Sequence, residues 1–442
     1  MLPSALTELY LKHVKKRFTE TCEWLNQLGY SRLLIAAGDS HYHFRDDTDY
    51  PFKLNPYFAS WLNLSEGAGS WLIIDSQKPQ PSLLHYCPED IWHQPAPLRD
   101  EVVQQAFEVI PYADAKDLKP LLNSKQQPSV YIGEPNALIA ELPHCVSNCE
   151  QLLNLIDYHR AYKSEYEQGC IQLANHSAAI GHKAAAEAFY NGGSEYQIHM
   201  AYLQATQQLE NEQPYNSIIA LNEHAAVLHY PQKQRTKPEA HRSFLIDAGT
   251  CVGGYASDIS RSYAFSSSDF ADLIIAMNKL HEKLVDSLSL GQSYLDLHLA
   301  AHLGIAKILL EFKLAKGSVE SLLEQKVTQV FFPHGVGHYL GIQVHDRGGW
   351  LSSPLGDVLE PPKDHPYLRL TRKLEANQIF TVEPGLYFIE PLLQQAKQDA
   401  RKELINWPAV SAMQPWGGIR IEDNILMTAQ GVTNLTQQAS LA

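Results

Sequence analysis

The sequence predicts two domains, an α/β domain over residues 1–157 and an α+β domain over residues 158–442. Three observations carry this. The chain has 442 residues, which is long for one domain and comfortable for two. Helix-period and strand-like segments alternate through the first third. From about Tyr158 that alternation gives way to long helical stretches, followed by apolar strand-like segments that hold isolated carboxylates.

In the first domain a helical period opens the chain and runs through Leu28. SRLLIAAG (31–38) then reads as a strand, SWLIIDSQKPQPSLLHYC (70–87) as two strands around a Lys-Pro-Gln-Pro turn, and PSVYIGEPN (128–136) as a strand ending in a turn. No glycine-rich phosphate loop is present, so this domain is not expected to hold a nucleotide. In the second, YKSEYEQGCIQLANHSAAIGHKAAAEAFY (162–190) reads as one long helix stopped by Asn191-Gly192-Gly193, with Ser194 placed to cap the next. Another helical region spans Ser268 to Phe312 with a break at Gly291, and PQKQRTKP (231–238) reads as an exposed loop.

Composition narrows the function. Hydrophobic residues make up 45% and charged residues 19%, enough apolar material for a large core. A net charge of −14 with no Lys/Arg block argues against nucleic acid; the basic cluster Lys12–Arg17 reads as the solvated face of the first helix. No run of about 18 apolar residues predicts a membrane helix. The positive charges near the start follow a short mixed segment, the reverse of a secretory signal. Six cysteines (Cys22, Cys87, Cys145, Cys149, Cys170, Cys251) are too sparse for a disulfide framework and read as reduced thiols in a cytoplasm.

SFLIDAGTCVGGYASDISRSYAF (243–265) places Asp247 in an apolar strand and Asp258 in a second. A two-residue turn at Val252-Gly253 puts the two aspartates directly opposite; one at Gly253-Gly254 makes them diagonal neighbours on one face. Either way two carboxylates share a half-buried face and lose hydration, and a metal cation is the natural compensation. FFPHGVGHYLGIQVHD (331–346) holds three histidines among three glycines. If it is extended, His334, Val336 and His338 face one way. NQIFTVEPGLYF (377–388) ends an apolar strand on Glu383, and GGIRIEDN (417–424) sets Arg420 and Glu422 on one face with Ile419 and Ile421 on the other. Asp247, Asp258, His338, Glu383 and Glu422 together form an oxygen-rich set suited to two divalent ions, Mn²⁺, Co²⁺, Fe²⁺ or Zn²⁺, rather than to a thiolate zinc site.

At these residues the sequence resembles the pita-bread metallopeptidases, whose pattern of Asp, Asp eleven residues on, His, Glu and Glu falls complete and in order on Asp247, Asp258, His338, Glu383 and Glu422. YPFKLNPYF, PYNSIIALNEHAAVLHY, FTVEPGLYFIE and PWGGIRIEDN are similar to the bacterial Xaa-Pro dipeptidases (prolidases), the subgroup that includes the organophosphorus acid anhydrolases. The resemblance extends over nearly the whole chain. It implies a creatinase-like N-terminal domain and a pita-bread catalytic domain. It implies Asp247 on one metal, His338 and Glu383 on the other, Asp258 and Glu422 bridging, with Mn²⁺ the foremost candidate ion. It implies a substrate pocket of Tyr215, Leu228, His229, Tyr294, His334, Val344, His345 and Leu368. Arg420 and His345 clamp the dipeptide carboxylate, and a loop of the partner subunit, HYHFRDDTDYPF (41–52) with Asp46 or Asp47, closes the site of a homodimer or higher oligomer. Arg347 departs from the small apolar residue expected there.

The expected activity is hydrolysis of Xaa-Pro dipeptides, with slow phosphotriester or fluorophosphonate hydrolysis on the side. Glu383 shuttles the proton to the leaving nitrogen, and His334 or His229 stabilises the oxyanion. An aminopeptidase P acting on longer peptides carries the same five ligands and is the main alternative. A metal-free peptide-binding relative and a creatinase-type hydrolase stand behind it.

Overall fold

The computed structural model describes residues 6–64, 66–88, 91, 98–123 and 127–441. It divides into two compact units, one of Met1–His159 with Ser164–Gly169 and Ser353–Gly356, the other of Arg160–Lys163, Cys170–Ser352 and Asp357–Ala442.

The first unit is built on a mixed six-stranded sheet. Its strands are β1 (Arg32–Ala36), β2 (Trp71–Asp75), β3 (Ser82–Tyr86), β4 (Glu108–Tyr112), β5 (Ser129–Ile132) and β6 (Cys145–Ser147), in the order β4-β3-β2-β1-β5-β6. β1, β2 and β5 are the apolar runs of the sequence, buried at every position because both faces are covered. β4 and β6 lie at the two edges, and neither has an apolar run: Pro111 sits in the exposed half of β4, and β6 is three residues long. The opening helix, Thr7–Gln27, buries Tyr10, Val14 and Leu25 and leaves Lys12, Lys15 and Lys16 in solvent.

The second unit places several short antiparallel sheets over a helical layer. β7 (Ile218–Leu221), β8 (Ser243–Asp247) and β11 (Ser260–Ala264) form a three-stranded sheet in the order β11-β8-β7, and β9 (Cys251–Val252) pairs with β10 (Tyr255–Ala256). β12 (Ile379–Val382), β15 (Asp423–Thr428) and β16 (Gly431–Asn434) form a second three-stranded sheet, while β13 (Gly385–Tyr387) pairs with β14 (Gly418–Arg420). The isolated bridge Ser260↔Glu422 ties the two halves together. Helices Asp269–Asp286 and Tyr294–Glu311 supply the main apolar core, with Leu273, Met277, Leu297 and Ile305 buried against Phe380, Ile419 and Ile421.

Local sequence signals account for most of these boundaries. Helix Glu165–Tyr190 stops before Gly192, which holds a φ of +70°, and the Ser194 hydroxyl accepts from Gln197 N–H in a capping box that starts helix Glu195–Thr206. Ser268 caps helix Asp269–Asp286, and the break at Gly291 separates it from Tyr294–Glu311. The six cysteines are free thiols. Among the described residues no helix is long and apolar enough to cross a membrane.

Candidate active site

The hairpin register decides how the first two carboxylates meet. Val252 pairs with Tyr255 and Asp247 with Ser260, so the turn is Gly253-Gly254, with φ of +59° and +87° that suit glycine. Asp258 lies two residues before Ser260, which makes Asp247 and Asp258 diagonal neighbours, the second of the two registers the sequence allowed.

The histidine segment runs antiparallel to β12 without being a regular strand. Its ladder includes Leu340 N–H to Ile379 O at 3.1 Å, Thr381 N–H to His338 O at 2.9 Å and Glu383 N–H to Val336 O at 2.8 Å. Gly337 holds a φ of +153°, and a Cβ there collides with the Thr381 carbonyl and the Tyr294 hydroxyl. The expected shared face for His334, Val336 and His338 is therefore met only by the histidines. Val336 packs in the apolar core, while His334 Nδ1 lies 3.6 Å from Glu383 Oε2 and His338 Nε2 lies 3.8 Å from Glu383 Oε1.

His338 is set up as a ligand. Its Nδ1 lies 2.9 Å from the Tyr339 carbonyl, an acceptor only, so Nδ1 carries the proton and Nε2 offers a lone pair. That lone pair faces Asp258 Oδ2 at 3.4 Å, Glu383 Oε1 at 3.8 Å and Glu422 Oε1 at 3.9 Å. Ligand atoms of Asp258, His338 and Glu422 all lie within 4.8 Å of one another, and Asp247 and Glu383 flank them.

Burial, then the Asp247 charge, hold the Asp258 carboxyl well above the ordinary range. Burial and Glu422 do the same for Glu383, and burial and Asp258 for Glu422. Asp247 Oδ1 is buried with no hydrogen-bond partner. Acceptors facing acceptors, an orphaned carboxylate oxygen and a donor set of four carboxylates and one imidazole fit divalent cations.

Other side chains fix the cluster. Arg420 ends β14 with its Nη2 on Asp247 Oδ2 (2.7 Å), Nε on Ser260 Oγ (3.0 Å) and Nη1 on Tyr387 Oη (3.0 Å). Ser260 donates to Glu422 Oε2 at 2.8 Å, and Tyr215 donates to Asp258 Oδ1 at 2.5 Å. Each of those two carboxylates thus has one oxygen held by a hydroxyl and the other turned toward His338. Asp258 is also gripped through its backbone, whose N–H donates to Asn424 Oδ1 at 3.0 Å.

The remaining expected residues fall in three places. His229 and His345 are exposed at the site; the ring of His345 stands edge-on to His338 at 4.4 Å, and His229 lies close enough to act electrostatically on both His334 and His345. Leu228 is half-buried against Ile218 and Tyr387, and half-buried Val344 meets the His338 ring through its backbone. Tyr294 and Leu368 are instead 0% and 1% exposed within the core, behind the histidine segment rather than on an open wall. Asp47 is an exposed loop residue of the first unit, and Arg347 is exposed as well.

Two expected roles change. His334 Nδ1 lies 2.8 Å from the Gly335 carbonyl and so carries its proton, while Nε2, 2.8 Å from Tyr387 Oη, accepts the phenol O–H. Both nitrogens are engaged, so His334 has no free donor for an oxyanion. Arg420 likewise spends three of its five N–H groups on Asp247, Ser260 and Tyr387, and its first task is to counter the charge of Asp247. Ser260 and Tyr387 were not singled out from the sequence, although Ser260 is two residues from Asp258 and Tyr387 two from Gly385.

Known proteins place this arrangement. Residues 169–429 match metallopeptidase family M24, and residues 8–158 match the Xaa-Pro dipeptidase N-terminal domain. The Xaa-Pro dipeptidases of Shewanella woodyi and Shewanella halifaxensis are each 43% identical to the chain over 436 residues, 99% of both partners. Among solved structures, zinc-substituted aminopeptidase P of Escherichia coli with bound product superposes with a TM-score of 0.74 at 23% identity over 97% of this chain and 95% of its own. Proline aminopeptidase P II of Yersinia pestis gives 0.71 at 22% over 97% and 96%. These two share the fold, a pita-bread domain preceded by an α/β domain; the residue-level likeness is to the dipeptidases. The chain belongs to metallopeptidase family M24, in its group of bacterial Xaa-Pro dipeptidases.

Proposed function

We propose that this protein is a two-metal Xaa-Pro dipeptidase that hydrolyses the bond before a C-terminal proline and releases the free imino acid. The carrying observation is the convergence of Asp258, His338 and Glu422 within ligand distance of one another, with Glu383 and Asp247 beside them. Identity of 43% over 99% of a curated Xaa-Pro dipeptidase supports the substrate class.

Asp247, Asp258, His338, Glu383 and Glu422 hold the two cations in this reading, Mn²⁺ first among the candidates. When bound, the cations supply Lewis acidity at the scissile carbonyl and acidify a water to near neutrality. Glu383, whose carboxyl burial and Glu422 together push upward, takes the proton of the attacking water and passes it to the proline nitrogen. That nitrogen has no N–H of its own in the intact bond, so the site needs no acceptor for it. His229, exposed and uncommitted to the Arg420 chain, is the better candidate than His334 to donate to the developing oxyanion. His334 and Tyr387 orient Arg420, and Arg420 with His345 reads the terminal carboxylate and limits the substrate to two residues.

Slow hydrolysis of organophosphorus triesters belongs to the same reading, because a tetrahedral phosphorus resembles the transition state of the attacked carbonyl rather than the carbonyl itself. A cytoplasmic homodimer rests on the resemblance of the motifs. The test compares kcat/KM for Ala-Pro and Ala-Pro-Ala-Ala after reconstitution with Mn²⁺. A preference for the dipeptide is expected; a preference for the tetrapeptide moves the chain to the aminopeptidase P reading, and the absence of both activities removes the proposal.

A further inference from the structure

Near His334 three more imidazoles meet. His298 and His302 stand one turn apart on helix Tyr294–Glu311, and His365 lies on the loop leading to Leu368. One ring nitrogen from each lies within 4.8 Å of the other two. We propose that His298, His302 and His365 form a separate metal site for one borderline divalent cation of the Zn²⁺, Cu²⁺ or Ni²⁺ type.

The rings are oriented for it. His298 stands nearly perpendicular to His302 (89°, centroids 4.7 Å) and to His365 (86°, 4.5 Å), so the three planes do not stack and their nitrogens point into a common space. Positions i and i+4 of a helix present two imidazoles on one face, the spacing used by helical zinc-binding pairs. Thr328 Oγ1 holds His302 Nδ1 at 2.9 Å, which fixes the ring and leaves Nε2 for a ligand bond, the usual outer partner of a metal-bound histidine. His298 Nε2 and His365 Nδ1 are 2.9 Å apart and share a single proton. Two nitrogens on one tetrahedral zinc at about 2.0–2.1 Å stand roughly 3.4 Å apart, so exchanging that proton for a cation needs a movement of about half an ångström. His365 can supply it, being only half-buried on its loop.

Burial points the same way. His298 is 1% exposed, so a cation held there is shielded from water. Burial, then its histidine neighbours, push His298 down to about 2 and His302 to about 3, so both rings are unprotonated, as ligands have to be. The cluster opens onto a cavity of about 350 Å³ that also meets Lys326, Gln329 and Arg401, with room for a water or small anion as fourth ligand. An all-imidazole set suits zinc, copper or nickel and holds manganese poorly, whereas the carboxylate-rich set formed by Asp247, Asp258, Glu383 and Glu422 accepts manganese as well.

That contrast gives the test. The full chain is stripped with chelator, loaded with Zn²⁺ or Mn²⁺, freed of excess metal by gel filtration, and its metal content measured. The wild type is expected to retain one equivalent more of Zn²⁺ than the His365→Ala variant, and the same amount of Mn²⁺. A His176→Ala control, which removes an exposed imidazole elsewhere, keeps the extra equivalent. Equal zinc content in wild type and His365→Ala overturns the proposal, as does loss of the extra equivalent in the His176 control, which marks adventitious surface binding. Should His365→Ala fold poorly, anomalous diffraction at the zinc edge from wild-type crystals decides: a peak among the three rings supports the site and its absence ends it. The readout is a difference of one ion, so it holds however many ions the carboxylate site takes.

Discussion

Removal of one hydroxyl, in Tyr387→Phe, is expected to weaken the site out of proportion to its size. The phenol oxygen accepts from Arg420 Nη1 at 3.0 Å and donates to His334 Nε2 at 2.8 Å, and the residue is fully buried. Phenylalanine keeps the ring volume, so packing is conserved and the whole effect belongs to the hydroxyl. The variant leaves one guanidinium N–H and one imidazole nitrogen without partners, at about 1–3 kcal/mol each, or roughly 2–6 kcal/mol together. That is a large share of a total stability of roughly 5–15 kcal/mol. At about 2–4 °C per kcal/mol it corresponds to a thermal midpoint lowered by about 4–24 °C. Arg420 also carries Asp247 through Nη2, so a loosened guanidinium should reach the metal; disturbing such outer partners typically costs about 10–100-fold in metal affinity or activity. Thermal unfolding of the chelator-treated protein, Mn²⁺ titration and Ala-Pro kinetics read the three effects separately. A variant with wild-type midpoint, wild-type Mn²⁺ affinity and wild-type kcat/KM refutes the claim that this hydroxyl joins Arg420 to His334.

Three further outcomes follow from the same geometry. Gly337→Ala places a Cβ against the Thr381 carbonyl and the Tyr294 hydroxyl at a φ of +153°, so a loss of roughly 3–5 kcal/mol is expected in a thermal melt, with reduced Mn²⁺ binding through the neighbouring His338. Asp346→Asn uncouples a carboxylate whose side chain is 2% exposed from Arg160 and from Lys163 (3.0 Å), and urea titration should show about 3–5 kcal/mol lost. In the chelator-treated protein, Asp258, Glu383 and Glu422 are raised, by burial first and then by neighbouring carboxylates. The folded chain therefore holds protons that the unfolded chain has already released above the ordinary carboxylate range. Stability is then lost as pH rises, by about 1.4 kcal/mol per pH unit for each proton retained. The loss sets in above the ordinary carboxylate range; up to the ordinary histidine range of about 6.5 the lowered His334 and His338 add a slope of opposite sign, so the carboxylate slope stands alone above it. Saturating Mn²⁺ should flatten the slope; a flat or rising one without metal contradicts the assignment.

How much of this was legible beforehand depended on the range of the signal. The Gly253-Gly254 turn fixes the Asp247–Asp258 register locally, and Ile419 and Ile421 marked the core face of the stretch that carries Arg420 at the end of β14 and Glu422 just before β15. The edge strands β4 and β6 were invisible because their pairing comes from neighbours, not from an apolar pattern of their own. The histidine segment read as extended because period two was assumed through Gly337, where the backbone leaves it. The expectation for His334 missed its bond to Tyr387, and that for Arg420 its bonds to Asp247, Ser260 and Tyr387, for another reason. Whether a polar side chain is free to act depends on what already holds it, and Tyr387 and Ser260 are brought to them by chain folding rather than by spacing. His298 and His302 showed a helical i, i+4 pair in plain sequence, yet His365 is more than sixty positions away and nothing local joins them.

Charge also explains why a chain that is acidic overall should bind a substrate ending in a carboxylate. Its net charge of −14 repels such an anion at long range, and the five-ligand cluster adds four carboxylates of its own. Arg420 is the guanidinium bonded into that cluster, and the buried histidines beside it are pushed down and neutral, so with all four carboxylates ionised, as ligands have to be, three negative charges stay uncompensated. Protons can neutralise them only by converting ligands into donors, and the lone pair of His338 still faces oxygen. One divalent cation leaves the cluster negative. Two turn it positive, and only then does the pocket attract the dipeptide's terminus rather than repel it. The same carboxylates that create the need for a second cation thus set the sign of the field the substrate meets, and within a Debye length of about 8 Å at physiological salt that local field outweighs the distant surface charge.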